Sequence, residues 1–253
     1  MLKVQNLKKY FGGVKAVDDC SFEVEKGTIT ALIGPNGAGK STVFNIVSGI
    51  LKADEGQVNF DDVDIANLKP EKISNLGISR LFQQSKLFNN ISVRENLLLA
   101  LDNEDTKFWK NFLGLNKIGE SKGKKIREML KLVNLEKFEN TSAKDLSYGQ
   151  KRLIELIRTI LNPHKFLMLD EPVAGVNPKL REKISDILLQ EKAKPAFAEA
   201  TAGKAILLIE HDMNFTLNVA DRVIVLEKGK VIAEGKPEEI KNNPEVLEAY
   251  LGE

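Results

Sequence analysis

The segment that most constrains this chain is a short, glycine-rich run. Residues 34–41 read Gly-Pro-Asn-Gly-Ala-Gly-Lys-Ser and match the pattern G-x-x-x-x-G-K-[ST]. The strand-like run Thr28–Ile33 precedes them, and the helix-compatible run Thr42–Leu51 follows. Glycines allow backbone N–H groups to wrap around phosphates, and the N-terminus of a following helix adds donors and a favourable dipole. This order predicts a phosphate-binding loop (P-loop) between a strand and a helix.

The last two residues of this run carry the expected nucleotide chemistry. Lys40 would reach the β- and γ-phosphates, and the Ser41 hydroxyl would bind Mg²⁺. The glycines do not follow the order of a dinucleotide-binding fold, so that class is not indicated. The residues expected to contact the nucleotide here are Gly34, Pro35, Asn36, Gly37, Ala38, Gly39, Lys40, Ser41 and Thr42.

Two adjacent carboxylates follow a second run with the character of a buried strand, Phe166–Leu169. Asp170 is expected beside the phosphate loop, where it would hold Mg²⁺ directly or through water. Glu171 points differently and is expected to polarise a water for in-line attack on the γ-phosphate. The only Asn-Lys pair, Asn116-Lys117, lacks the following x-Asp that a guanine-reading motif needs, so ATP is the expected nucleotide.

Strand-like and helical segments alternate along most of the chain, which favours an α/β domain with a largely parallel sheet. In contrast, Lys3–Leu7, Cys20–Val24 and Gln57–Phe60 predict an antiparallel β patch. Residues from about 85 to 146 contain two helical stretches, Val93–Leu101 and Ser121–Leu132, and no convincing strand. The predicted fold class is therefore α/β, a P-loop NTPase core (1–84 and 147–253) with an N-terminal antiparallel β subdomain and an inserted helical subdomain (85–146).

Three further elements are predicted toward the C-terminus. Gln150–Leu161 and Pro178–Gln190 have helical spacing, and Pro237–Gly252 is typical of two short helices joined at Asn242–Pro244. The Ala-rich stretch Lys192–Lys204 lies where a short helix-to-strand connection would suffice. We interpret it as a solvent-exposed insertion without chemistry of its own.

Composition excludes several classes of protein. Thirty-seven basic and thirty-six acidic residues leave a formal charge of +1, so no nucleic-acid partner is expected. Cys20 is the only cysteine, and no internal disulfide can form. The first residues do not have the pattern of a secretory signal, and no apolar run approaches the roughly 18 residues that a membrane helix needs. We expect a soluble chain that serves a membrane process only through a partner.

Further motifs in the same order resemble the nucleotide-binding subunits of ABC transporters over nearly the whole chain. Leu146–Gln150 is similar to the LSGGQ signature of that family, with Tyr148 in place of the first glycine. Gln83 matches the Q-loop glutamine, and His211 matches the switch histidine. Phe11, by its spacing, matches the aromatic residue that stacks on adenine, with Tyr10 as the fallback.

The D-loop of the family is matched by Ala174–Pro178, where Asn177 stands in place of the commonest Asp. The resemblance implies an ABC ATPase domain that dimerises head to tail with two ATP molecules sandwiched at the interface. The implied catalytic residues are Glu171, His211, Gln83 and Lys40, the implied Mg²⁺ ligands are Ser41, Gln83 and Asp170, and Ser147, Gly149 and Gln150 would contact the ATP held by the other protomer.

Within this family, the runs LSYGQKRLIELIRTI, AGVNP, LLIEHDM and NNPEVLEAYLGE are similar to the ATPase subunits of branched-chain amino-acid importers. That resemblance implies transmembrane permease subunits, a second ATPase subunit and, indirectly, a substrate-binding protein as partners. It also implies a cytoplasmic location, peripheral on the inner face of the cell membrane. Related ATPases for urea or other amide import and for lipopolysaccharide export share much of the pattern. A soluble, non-transport ABC ATPase and an inactive regulatory subunit are the alternatives from other classes.

Overall fold

The computed structural model describes residues 1–83, 86–101, 116–194 and 203–251. In this part of the chain the strands form two sheets. Their bounds are β1 Leu2–Phe11, β2 Val14–Val24, β3 Ile29–Ile33, β4 Glu55–Phe60, β5 Val63–Asp64, β6 Ile78–Leu81, β7 Phe166–Asp170, β8 Ala205–Ile209, β9 Arg222–Glu227 and β10 Lys230–Gly235.

The larger sheet has six strands in the order β10-β9-β3-β8-β7-β6. Five of them are parallel, and β10 pairs antiparallel with β9 at one edge. The phosphate-loop strand β3 lies between β9 and β8, and the strand of the two carboxylates, β7, is the next one along. Because the carboxyl ends of parallel strands meet at one edge of a sheet, this order brings both candidate segments to the same edge.

Successive side chains of the parallel strands point to opposite faces of this sheet, and both faces are buried. On β7, Phe166 and Met168 pack with the antiparallel sheet and the helix that follows β3, whereas Leu167 and Leu169 pack with helices on the opposite face. All five residues of β7 are buried. The continuous apolar character of the run therefore reflects burial on two sides, as a parallel sheet requires.

The smaller sheet confirms the predicted antiparallel patch. Its order is β2-β1-β4-β5, and every pairing is antiparallel. Its strands are longer than the sequence pattern indicated, since β1 continues to Phe11 and β2 begins at Val14. The turn between them holds Gly12 at a positive φ of 56°, which a glycine adopts without strain.

Most of the helices pack on the larger sheet, and several differ by a few residues from their predicted bounds. The first helix, Lys40–Val47, ends earlier than predicted because Gly49, at a φ of 74°, leaves the helical region and terminates it. The bounds are α1 Lys40–Val47, α2 Pro70–Asn75, α3 Val93–Leu101, α4 Asn116–Leu132, α5 Tyr148–Leu161, α6 Pro178–Ala193, α7 Met213–Val219, α8 Pro237–Lys241 and α9 Pro244–Leu251.

The segment predicted to be a helical subdomain contains α3, α4 and two short 3₁₀ turns in its described residues. Apolar side chains of α3 and α4 join those of α5 in one cluster, which includes Leu97, Ile126 and Leu153. The only β pairing described in this segment is an isolated bridge between Ser92 and Ser142. The helical character agrees with the prediction, whereas the boundaries at 85 and 146 stay a prediction.

The interpretation of the Ala-rich stretch as an insertion falls largely outside the described residues, because residues 195–202 are not described. Residues 102–115 of the predicted helical subdomain are not described either. Within the described ranges, none of the helices is both long and apolar enough to cross a membrane.

Candidate active site

The phosphate loop lies between β3 and α1, as predicted. The Lys40 ammonium donates hydrogen bonds to the backbone carbonyls of Gly34, at 2.6 Å, and Pro35, at 2.8 Å. These bonds hold the ammonium group against the backbone of its own loop, and the residue is only 7% exposed. Ser41, in the first turn of α1, is exposed, and Thr42 is partly exposed. The loop therefore presents a buried cation beside an accessible hydroxyl.

Glycine is required at two loop positions by close backbone contacts. Gly34 has a φ of 145°, and a Cβ there would lie 2.0 Å from the Leu226 carbonyl oxygen. Gly39 has a φ of 104°, and a Cβ there would lie 2.3 Å from the Ala16 carbonyl oxygen. The backbone of the loop thus packs closely against the backbone of the neighbouring strand β9 and against that of β2.

We expect Gly34→Ala to destabilise the fold far more than Gly37→Ala. Both glycines have positive φ, but a Cβ at Gly37 would meet nothing within 4 Å. Left-handed strain alone costs about 1–2 kcal/mol, and Gly34→Ala adds a collision with backbone. In nucleotide-free thermal unfolding, each kcal/mol corresponds to roughly 2–4 °C for a domain of this size. Equal melting temperatures for the two variants would contradict the close approach to Leu226.

Asp170 ends β7 and forms an ion pair with Arg80, whose Nη2 lies 3.3 Å from Asp170 Oδ2. The other end of the same guanidinium donates to Asn45 Oδ1 on α1 at 2.9 Å and to the Oγ of Ser48, the residue that caps the C-terminus of α1, at 2.6 Å. Burial raises the pKa of the Asp170 carboxyl, and Arg80 opposes this rise. Arg80 therefore ties the helix of the phosphate loop to the carboxylate strand, a link that sequence analysis did not anticipate.

Glu171 stands at the sharp turn after β7, with a φ of 52° that is uncommon for a residue with a side chain. Its N–H donates to the Ile209 carbonyl at 2.9 Å, which fixes the turn against β8. The Glu171 Oε1 atom lies 3.3 Å from His211 Nε2, and it accepts a hydrogen bond from Gln83 Nε2 at 3.3 Å. The structure thus gathers Gln83, Glu171 and His211 into one cluster from three separate segments.

The buried carboxylate of Glu210 links the loop that follows Glu171 to the loop that carries His211. Its Oε1 accepts from the Val173 N–H at 2.9 Å, and its Oε2 accepts from the N–H groups of His211, at 3.0 Å, and Asp212, at 3.3 Å. Burial raises the pKa of Glu210, although these three amides oppose the shift. Sequence reasoning missed this residue, because its partners are backbone amides of two distant loops.

The signature-like segment begins α5. Ser147 is the N-cap: its Oγ accepts from the Gln150 N–H at 3.3 Å, while Gln150 Oε1 accepts from the Ser147 N–H at 2.9 Å. The helix begins at Tyr148, two positions before the predicted start, so Gly149 lies inside its first turn. Gly149 packs against the D-loop, where a Cβ would lie 2.9 Å from the Gly175 carbonyl oxygen.

Ser147, Gly149 and Gln150 line a cleft of about 400 Å³ that also includes Asn177. The residues of the Glu171 cluster do not belong to the lining of this cleft. Within one chain, the signature-like residues therefore line a cleft that is separate from the cluster of Gln83, Glu171 and His211.

Phe11 is the last residue of β1, and its side chain is 46% exposed. The Lys9 ammonium lies 5.5 Å from the centre of its ring. Tyr10, the alternative aromatic residue, instead donates a hydrogen bond to Asp18 at 2.9 Å. Of the two, Phe11 is the one whose ring is available for stacking.

A phosphate loop after the central strand β3, with two carboxylates at the end of β7, defines a P-loop nucleoside triphosphatase. A family model described as "ABC transporter" matches residues 17–174, and one described as "Branched-chain amino acid ATP-binding cassette transporter" matches residues 230–253. The chain belongs to the ABC transporter family, as one of its ATP-binding ATPase subunits.

Individual relatives agree with this assignment. A probable branched-chain amino acid transport ATP-binding protein of Archaeoglobus fulgidus is 40% identical over 100% of this chain and 95% of its own length. A crystal structure of a nucleotide-free ATP-binding cassette from an ABC transporter has a TM-score of 0.81 at 38% identity, covering 100% of this chain and 99% of that one. A dimeric, post-hydrolysis cassette bound to ADP and phosphate has a TM-score of 0.79 at 28% identity, covering 94% and 99%.

Proposed function

We propose that the chain hydrolyses ATP to drive the import of branched-chain amino acids through a membrane permease. The observation that carries the choice of substrate is the match of residues 230–253 to the branched-chain amino-acid family model. The name of the Archaeoglobus relative, which is similar along the whole chain, supports the same substrate.

In the proposed reaction, a water attacks the γ-phosphorus of ATP while the bond to the β–γ bridging oxygen breaks, releasing ADP and phosphate. Glu171 accepts the proton of the attacking water, for which its position at the strand end is suited. His211, 3.3 Å from the Glu171 carboxylate, contacts the γ-phosphate, and Gln83 orients the same carboxylate from the other side. Lys40 neutralises charge on the β- and γ-phosphates.

The remaining nucleotide contacts follow from the loop. Backbone N–H groups of the loop from Asn36 to Thr42 surround the phosphates, and the N-terminus of α1 adds its dipole. The half-exposed ring of Phe11 stacks on adenine. Each of these contacts involves a group that is accessible or is already positioned by the surrounding backbone.

The side chains available for Mg²⁺ are the Ser41 hydroxyl, the Gln83 carbonyl oxygen and the Asp170 carboxylate, all of them oxygen donors that this ion prefers. Gln83 fits this role because its amide nitrogen donates to Glu171, which leaves its oxygen for the ion. Asp170 is paired with Arg80 and fits best through a bridging water. When bound, Mg²⁺ neutralises charge on the β- and γ-phosphate oxygens.

We further propose a head-to-tail dimer, with this chain or with a second ATPase subunit. Ser147, Gly149 and Gln150 of one protomer contact the ATP held by the phosphate loop of the other. Their position at the N-terminus of α5 supports binding of an anion. The dimeric cassette among the similar structures supports this mode of assembly.

The surface we propose for the permease is a groove of about 540 Å³ between α2, α3 and α5. Leu99, 38% exposed, gives it an apolar wall, and Lys86 and Arg158 give it basic groups. Glu71 and Glu155 add acidic groups to the same lining. An amphipathic permease helix with an acidic side chain next to Lys86 and Arg158 would complement this lining. Docking there places the chain on the inner face of the membrane, in contact with the permeases and only indirectly with a substrate-binding protein.

The test is a pull-down from native membranes in Mg-ATP with the Glu171→Gln variant as bait. We expect permease subunits to co-purify, together with a binding protein that binds radiolabelled leucine, isoleucine or valine. Adding Leu99→Asp should release the permeases, whereas Leu189→Asp, at a similarly exposed leucine of α6 outside the groove, should not. A binding protein selective for another solute would overturn the substrate, and recovery of no permease would overturn the transport function.

A further inference from the structure

Three charged side chains lie at a spacing of three on one face of α5: Arg152, Glu155 and Arg158. Residues three apart on a helix are neighbours, so the three form one continuous row. Arg152 and Glu155 are almost fully buried, at 2% and 5% exposed. Charged groups are this buried only where specific partners compensate for the loss of water.

The partners of Arg152 are backbone carbonyls at the proposed catalytic cluster. Its guanidinium donates to the carbonyl of Glu171 through Nη2, at 2.9 Å, and through Nε, at 3.2 Å. It also donates to the carbonyls of Asp170 and Phe82. One side chain therefore joins the peptide of the catalytic glutamate to the residue that precedes Gln83.

Glu155 and Arg158 bind the segment that carries Gln83 at a second point, the backbone of Lys86. The Lys86 N–H donates to the Glu155 carboxylate, and Arg158 Nη1 donates to the Lys86 carbonyl at 2.8 Å. The segment that carries Gln83 is therefore fastened to α5 at Phe82 and again at Lys86. Glu155 and Arg158 also line the groove proposed for the permease.

The helix that makes these bonds begins at the Ser147 N-cap and is continuous to Leu161. Its first turn faces the partner's ATP in the proposed dimer, and its charged row holds Gln83 and Glu171 of its own site. We infer that Arg152, Glu155 and Arg158 are positioning residues that couple engagement of the signature at one ATP site to the placement of Gln83 and Glu171 at the other. This inference rests on the proposed ATP-driven dimer.

The first test separates dimer formation from turnover in the full-length protein. In Arg152→Gln we expect kcat to fall about tenfold to a hundredfold, the loss expected for charge-assisted hydrogen bonds, with KM for ATP within about twofold. In the Glu171→Gln background, Arg152→Gln should still give an ATP-dependent dimer by light scattering, because Ser147, Gly149 and Gln150 are retained. Arg222→Gln, whose ion pairs are with Glu25 and Glu234, is the matched control and should leave kcat unchanged.

Two outcomes would overturn the inference. Unchanged kcat in Arg152→Gln would show that its bonds do not position the site, and loss of the dimer would show that it only supports the signature. Absence of ATPase activity in the unmodified chain, or full activity in Glu171→Gln, would instead reject the proposed function itself.

The second test uses a conservative pair of variants at Glu155. Gln at this position keeps an oxygen that accepts from the Lys86 N–H, whereas Leu has a similar volume and no acceptor. We expect Glu155→Gln to retain kcat within about threefold and Glu155→Leu to lose about tenfold, with KM unchanged in both. Equal kcat values for the two variants would contradict a role for Glu155 in holding the Gln83 loop.

Discussion

Glu171→Gln is expected to abolish ATP turnover and leave ATP binding intact. A glutamine amide cannot accept the proton of the attacking water, and a general base contributes about 10²–10⁴-fold to the rate. The substitution leaves the phosphate loop untouched, so ATP can still bind. We therefore expect kcat to fall by at least about a hundredfold and the ATP-bound protein to accumulate as a closed dimer, measured by phosphate release and light scattering.

The control for this variant is Glu139→Gln, which removes a carboxylate paired with Arg94 at 2.6 Å. That ion pair joins two residues of the predicted helical subdomain, and neither of them contacts Glu171, Gln83 or His211 through the bonds described above, so hydrolysis should be unchanged. Hydrolysis at the wild-type rate in Glu171→Gln would assign proton transfer to another group. Failure to bind ATP would show that the Glu171 contacts with Gln83 and His211 shape the nucleotide pocket rather than the reaction.

Lys40→Ala is expected to weaken ATP binding by about tenfold to a hundredfold. The ammonium contacts phosphate in the proposed complex, and hydrogen bonds to charged groups contribute about 1.5–3 kcal/mol, where 1.4 kcal/mol is about a factor of ten in affinity. The expected loss appears as a higher Kd for a non-hydrolysable ATP analogue in calorimetry. Lys3→Ala, in an exposed ion pair with Glu23, is the control and should bind normally.

Lys40 also holds the carbonyls of Gly34 and Pro35, so part of any loss could come from a relaxed loop. Lys40→Met keeps most of the side-chain volume and separates the two effects. We expect Met and Ala to weaken binding to the same extent, with little change in melting temperature. Affinity near that of the wild type in Lys40→Met would contradict a direct contact between the ammonium and the phosphates.

The spacing of apolar residues predicted many of the helices and strands, because burial of one face of an element sets that spacing. The bounds predicted for Val93–Leu101 agree with the structure, and those predicted for Phe166–Leu169 differ from it by one residue. Prediction was less accurate where one residue ended an element, as Gly49 does for α1. The helix α2 was missed, because its six residues, Pro70–Asn75, include a single buried side chain and so show no apolar period.

The sequence by itself determined the phosphate loop and the family, because the glycines, the lysine and the neighbouring strand and helix are contiguous. It also named Gln83, Glu171 and His211 through the family resemblance, and their catalytic roles stay predictions. Only the tertiary structure decided that these three side chains meet, since strand order in the sheet brings their segments to one edge. Arg80, Arg152 and Glu210 could not be predicted, because they bind backbone or side-chain atoms of segments distant in sequence, and no local pattern records such contacts.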